Sequence, residues 1–392
     1  MKVRFQDRNN KDIAELVEIA WANAESHENE IFRLTERDED AVLNFINDSP
    51  DDEGAQENNS QNLEEMSLSE NTDEFTEFRT PNTVRKYPVI SVDTGIVNLG
   101  DFVGGGVAFA IRGTAVLTCE DETVFFKYST GAILVDRSNQ LELFRYIGKR
   151  LGREDIYLKK KTSGEYVIDE NVLGNPNQIQ DRFRNFVERM IQEEAIGILH
   201  KNGGGMLLID GALPAGTFDT PVKYVDDMLR FTASNSIDIV ALSKKTRIVV
   251  NGKPLSAFFD NNPTFLGYAS LKEIIREERE AFSLGTRDVE QVTAANAIFA
   301  VRFGLGPPSL TFRADVHNSL GYTAPEVLDL VVQHCQIFGC YPRTLIDAHQ
   351  QSSFMFQDVQ LMTADLIART GAEPKGDQSM EWMFQPFGAF GK

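Results

Sequence analysis

The sequence predicts an α/β fold built on a mixed sheet flanked by helices. Three observations carry this prediction. After Tyr87-Pro88 a strand-like run, Val89-Ile90-Ser91-Val92-Asp93-Thr94-Gly95, is followed by β-like runs at 115–118 and 123–128, punctuated by glycine and acidic turn residues. That spacing reads as an antiparallel meander. Helical and strand patterns then alternate, at 177–200, 206–210, 222–234 and 237–242, which is the pattern of crossover connections feeding a parallel part of the same sheet. Finally, two of the apolar runs end in a carboxylate, at Asp93 and again in Met206-Leu207-Leu208-Ile209-Asp210-Gly211. An aspartate at the end of a buried strand is costly without a metal, a cation or hydrogen-bond donors to meet it.

The chain has 392 residues, enough for one large domain with appendages. Residues 1–35 carry Ile13, Leu16, Val17, Ile19, Ala20 and Trp21 at helical spacing and read as a helical segment. Residues 36–86 read as an acidic, flexible insertion or linker, and 87–392 as the main domain with helical additions at its C-terminal end. Of the formal charge of −20, the stretch 36–80 contributes −13, from fifteen acidic and two basic residues. The remainder is mildly acidic and holds basic clusters at Lys149-Arg150, Arg153, Lys159-Lys160-Lys161 and Lys244-Lys245-Arg247. Net charge therefore leaves a nucleic-acid partner open.

No apolar run reaches membrane-spanning length and the N-terminus has no signal-peptide core, so a cytoplasmic protein without a membrane span is expected. Cys119, Cys335 and Cys340 form no disulfide framework and read as reduced thiols, and His334 with the last two is a thin zinc pattern. The Gly104-Gly105-Gly106 triplet lacks the Lys-Ser/Thr of a phosphate loop and reads as a hairpin turn. Helices are expected at 271–281, 324–338, 344–353 and 358–369, and strands at 297–303 and 309–315. The apolar residues of 380–387 suit either partner docking or packing on their own domain.

On the helix at 177–200, Phe183, Val187, Met190 and Ile198 share a face. Glu194 projects into the middle of that stripe and Glu193 onto its edge. A carboxylate there wants a cation or a metal. Asp93, Asp210 and one of these glutamates are hard oxygen donors from three separate elements, suited to Mg²⁺ or Mn²⁺. His349, one turn after Leu345, is a further candidate for ligation or proton transfer.

The ordered set of motifs resembles the NurA nucleases. The residues that carry it are Ser91-Val92-Asp93-Thr94-Gly95, the Glu193-Glu194 helix, Leu208-Ile209-Asp210-Gly211-Ala212-Leu213, the strand of Val240-Ala241-Leu242-Ser243-Lys244, and Gly339-Cys340-Tyr341-Pro342-Arg343-Thr344-Leu345-Ile346-Asp347-Ala348-His349. The resemblance spans about residues 87–355. It implies an RNase H-like core, an Mn²⁺-supported (or Mg²⁺-supported) site, and 5′→3′ exonuclease and single-strand endonuclease activity on DNA. It also implies a homodimer that works with a hexameric HerA-type ATPase in DNA-end processing. By resemblance, Asp93, Glu193 or Glu194, Asp210 and His349 fall on metal or catalytic positions, and Tyr341 on an active-site tyrosine.

Three other readings are distinguishable. Asp93-Thr94-Gly95 matches an aspartic-protease motif, but Asp210-Gly211-Ala212 is no second copy of it. An actin-like or sugar-kinase-like phosphotransferase shares the Asp-x-Gly and Asp-Gly pair, yet needs a late Gly-Gly adenosine loop that is missing after residue 300. A non-catalytic interaction scaffold would leave the carboxylate set without a purpose.

Overall fold

The computed structural model describes residues 2–22, 64–66, 75–79, 87–102, 106–244, 246, 248–250, 253–271, 292–305 and 310–371. In chain order its principal elements are β1 (Lys2–Asp7), α1 (Lys11–Ala22), β2 (Phe75–Glu77), β3 (Val89–Phe102), β4 (Gly106–Cys119) and β5 (Glu122–Val135). Then come α2 (Gln140–Arg150), α3 (Pro176–Lys201), β6 (Gly205–Asp210), α4 (Val222–Ser234) and β7 (Ile237–Ser243). The chain continues with β8 (Gly267–Ser270), β9 (Ala297–Arg302), β10 (Phe312–His317), α5 (Ala324–His334), α6 (Arg343–Ser352) and α7 (Phe356–Thr370). The ten strands form one mixed sheet in the order β1-β5-β4-β3-β6-β7-β10-β9-β8-β2.

Its centre is the expected meander β3-β4-β5, extended by β6 parallel to β3 and β7 parallel to β6. The helices α3 and α4 are the crossovers that parallel pairing requires. Helix α3 starts on a full capping box, with Asn175 and Gln178 exchanging side-chain bonds to backbone N–H groups and Pro176 in its first turn.

Strand alternation sorts the sheet's residues onto two faces. Ile90, Val92, Leu207, Ile209, Ile239 and Ala241 pack with Phe183, Val187, Met190 and Ile191 of α3 in the larger core. On the other face Val89, Leu208, Val240 and Leu242 pack with Val327, Leu328 and Val331 of α5 and Leu345 of α6. One helix layer is therefore built from α1 and the middle of the chain, and the opposite layer from its C-terminal third.

Several expectations need correction. Lys2–Asp7 is a strand, not part of a helix: Val3 and Phe5 alternate with charged residues, and Phe5 stacks on Phe125 at 4.8 Å. Two pieces of the acidic stretch are built into sheets, Phe75–Glu77 beside β8 and Glu64–Met66 beside Ile248–Val250. Phe75 packs against Phe258, Phe259 and Phe265, an aromatic anchor that outweighs the polar composition around it. Strand β3 does not end at Asp93. It runs through Thr94 and Gly95 to Phe102, paired with β4 throughout and shifted once by a bulge between Asn98 and Gly100. Helix α5 stops at His334, because Gln336 and Gly339 take positive φ (47° and 65°) and fold Ile337–Phe338 back on Tyr341–Pro342 as a two-residue hairpin. The expected helix at 271–281 beyond its first residue, the 380–387 segment, Gly104-Gly105, Lys245 and Arg247 lie outside the described residues.

Phe183 is fully buried and meets Phe109 and Phe144 edge-on, at 5.2 and 5.4 Å between ring centres. Phe183→Ala is expected to cost about 3–5 kcal/mol, read as a lowered urea-unfolding midpoint with retained secondary structure before the transition.

Candidate active site

The register of β3 with β6 ends on Val92 beside Ile209, so Asp93 and Asp210 are the next residues of two adjacent parallel strands. Both stand on the α6 face, by the alternation that puts Ser91 against Thr344 (2.6 Å between hydroxyls) and Gly95 under Ser352. Asp210 closes β6, and the crevice beyond the carboxyl end of such a parallel strand is where open α/β sheets place their ligands; Asp93 borders it from within β3.

Asp93 is mostly buried, and its Oδ2 accepts from Ser352 Oγ at 2.7 Å and lies 3.0 Å from His349 Nδ1. His349 itself is largely exposed, so the ring edge away from Asp93 remains reachable. Asp210 Oδ2 receives Lys244 Nζ at 2.6 Å. Lys244 follows β7 directly and its ammonium stands 4.7 Å from the centre of the Tyr341 ring. Tyr341 is buried, presented by the hairpin before α6. Burial above all, then the charges of Asp210 and Asp93, push its phenol pKa well above the ordinary value. The phenol is thus a neutral donor beside two carboxylates. Its hydroxyl has no well-formed hydrogen bond in the structure.

Asp93, Asp210, Tyr341, His349 and Lys244 therefore converge on one side of the sheet. Glu193 and Glu194 do not join them. They sit on α3, across the sheet from α6, and each has another partner. Glu194 accepts Asn10 Nδ2 at 3.0 Å, lies 3.9 Å from Arg8, and borders the hydroxyl of Tyr128, whose pKa is raised chiefly by burial and then by Glu194. A carboxylate in the apolar stripe needs a cation or a metal, and the N-terminal segment supplies the cation, Arg8. Glu193 is bound by Arg150 at 2.5 Å and Tyr224 at 2.6 Å.

The α3 carboxylate nearest in field to Asp93 is Glu188. It accepts Thr94 Oγ1 at 2.9 Å and Gln192 Nε2 at 2.9 Å, directly behind Asp93 on the strand. Burial raises its pKa, opposed by Arg189, the Thr94 bond and Arg184, with Asp93 adding to the rise. In the sequence Glu188 and Gln192 stand at i, i+4 beside Arg184 and Arg189, a polar strip that reads as solvated; only the full burial of Gln192 shows that it faces the sheet. Ser352 and Arg112 were also missed. Arg112 donates to Ser353 O and Asp358 Oδ2, both at 3.0 Å, and lies over the Phe354 ring.

Carboxylates, an imidazole and a phenol are donors suited in kind to a hard divalent ion. The buried Tyr341 hydroxyl falls short of a well-formed hydrogen bond yet stands close enough to Asp210 to interact with it, so an ion held by Asp210 would engage it as well. Among the described residues, no three His, Cys, Asp or Glu side chains converge as a ready-made metal cage. Asp210 is met instead by the Lys244 ammonium, and Asp93 by His349 and Ser352. The cysteines are unbridged, and burial pushes the Cys335 thiol pKa upward, in keeping with an inert side chain. Among the described residues no helix is long and apolar enough to cross a membrane.

No protein-family model matches the sequence, and no curated protein matches it. Solved structures do. The crystal structure of the NurA nuclease from Sulfolobus solfataricus is 10% identical, with a TM-score of 0.42 over 90% of this chain and 96% of that one. A structure of NurA with manganese is 10% identical, with a TM-score of 0.33 over 88% and 98% of the two chains. One of NurA bound to dAMP and manganese is 12% identical, at 0.34 over 92% and 97%.

A glutamate with a raised folded-state pKa binds its proton more tightly folded than unfolded. Its contribution to stability therefore falls as pH rises from the unfolded glutamate pKa through the folded one. Glu188→Gln is expected to remove that fall: the variant's stability relative to wild type should improve with pH across this window, measured by urea unfolding at stepped pH.

Proposed function

We propose that the chain is a metal-assisted deoxyribonuclease whose reaction takes place on the α6 face of the sheet. The observation that carries this reading is the meeting of Asp93 and Asp210, from neighbouring parallel strands, with Tyr341, His349 and Lys244. These are the residues that the motif resemblance sets at metal, catalytic or lysine positions, and here they share one face. Of the helix carboxylates, Glu188 comes nearest to Asp93, but from the α3 side of the sheet through Thr94.

In this reading Asp93 and Asp210 hold one or two Mn²⁺ or Mg²⁺ ions. When bound, such ions supply Lewis-acid polarisation of the phosphoryl group and stabilise the charge of the departing 3′-oxygen. His349 is tied at Nδ1 to Asp93, which leaves Nε2 to exchange a proton with the attacking water or the leaving group. Tyr341, neutral over the working pH range, donates to a phosphoryl oxygen. Lys244 pairs with a substrate phosphate once Asp210 is engaged elsewhere. From the motif resemblance come the finer expectations: 5′→3′ exonuclease and single-strand endonuclease action, a homodimer, DNA-end processing with a HerA-type hexameric ATPase, and a cytoplasmic setting.

The deciding assay uses DNA labelled at the 5′ or 3′ end, with Mn²⁺, with and without the ATPase. Wild type should shorten the strand, and Asp93→Ala and Asp210→Ala should abolish shortening. Retention of radiolabelled ATP without DNA cleavage would replace this reading with a phosphotransferase. His349→Ala should slow cleavage by about 10²-fold, the usual worth of one proton-transfer group. Glu193→Gln and Glu194→Gln should stay within about threefold of wild type, because their partners lie across the sheet.

A further inference from the structure

Among the described residues, Asp93 is gripped through Oδ2 alone. Its Oδ2 faces both Ser352 Oγ (2.7 Å) and His349 Nδ1 (3.0 Å). Ser352 is 1% exposed and has a single hydroxyl hydrogen to place. Its alternative acceptor, the His349 carbonyl at 3.0 Å, is already served by Ser353 Oγ at 2.8 Å and Ser353 N at 3.2 Å. A charged carboxylate is the stronger acceptor and the contact is shorter, so the hydrogen goes to Asp93.

Three further features deliver Ser352 to this point. Gly95 lies beneath it with no side chain; a Cβ there would stand 2.4 Å from Ser352 O, so any larger residue would lift the end of α6 away. Arg112, which is the cross-strand partner of Gly95, ties down the next residue through Ser353 O and holds Asp358 at the start of α7. The Phe354 ring then packs against the Arg112 guanidinium at 4.6 Å. The last turn of α6 is thus fixed from below by a missing side chain and from the side by a cation.

We infer that Ser352 is a positioning residue for Asp93. With His349 it locks the carboxylate in one rotamer and commits Oδ2 to the protein, leaving Oδ1 as the oxygen that serves a divalent ion. This rests on the proposed nuclease reading. The role is that of an outer hydrogen-bond partner to a metal-binding carboxylate, whose loss typically costs about 10–100-fold in metal affinity or activity. Ser352 does not touch the substrate; it acts through Asp93.

The test measures Mn²⁺ affinity of the DNA-free, full-length protein by electron paramagnetic resonance, and kcat and KM on labelled DNA, for wild type, Ser352→Ala and Ser352→Cys. The cysteine variant preserves volume while weakening the donor, and decides the case if the alanine variant fails to fold. Mn²⁺ affinity and kcat each lowered at least tenfold, with KM for DNA within twofold and an unchanged melting temperature, is the expected result. Wild-type Mn²⁺ affinity and kcat in a folded variant would overturn the inference. A wild-type protein as inert on DNA as Asp93→Ala would instead overturn the nuclease reading, a separate outcome.

Discussion

The pleat of one strand governs this molecule. Val89–Phe102 lies between two helix layers, and each of its residues must face one or the other. Ile90, Val92 and Thr94 face α3; Val89, Ser91, Asp93 and Gly95 face α6. The division leaves no freedom, since a slip of one residue would drive Asp93 into the apolar core and lift Ile90 and Val92 out of it. The same pleat continues into Gly205–Asp210 through parallel register, so the second aspartate inherits the orientation of the first.

The three carboxylates of α3 show how rotation about a helix separates roles. Glu188, Glu193 and Glu194 project roughly 100–140° apart at about 100° per residue. One reaches the strand behind Asp93, one reaches Arg150 and Tyr224, and one reaches Arg8 and Asn10. Each is compensated differently. Glu193 and Glu194 pair with cations, whereas Glu188 is held by neutral donors, Thr94 and Gln192, with arginines further off. Burial raises the pKa of Glu188.

Much of this architecture can be read from the residues. The meander, the 177–200 helix, and the apolar runs that carry Asp93 and Asp210 follow from periodicity, which is a local property. Three features escape such reading for non-local reasons. Gly95 carries no local signal of its purpose, room for the Ser352 carbonyl, which depends on a segment 257 positions away. Phe75 is hidden in an acidic stretch, and only the aromatic cluster of Phe258, Phe259 and Phe265 explains its place in a strand. Glu194 satisfies the same stripe argument whether its counter-charge is a metal or Arg8; periodicity places the carboxylate but says nothing of which partner the fold brings to it.

The contact between His349 and Asp93 joins residues 256 positions apart. Such long-range closure tends to be slow, because the intervening chain must be ordered before the contact is rewarded. On a growing chain, both aspartates emerge long before the helix that steadies one of them. A partly synthesised or C-terminally clipped molecule can thus hold much of its sheet while its reactive face stays unassembled. The order of the sequence itself works as a delay, withholding the finished site until α6 has been made.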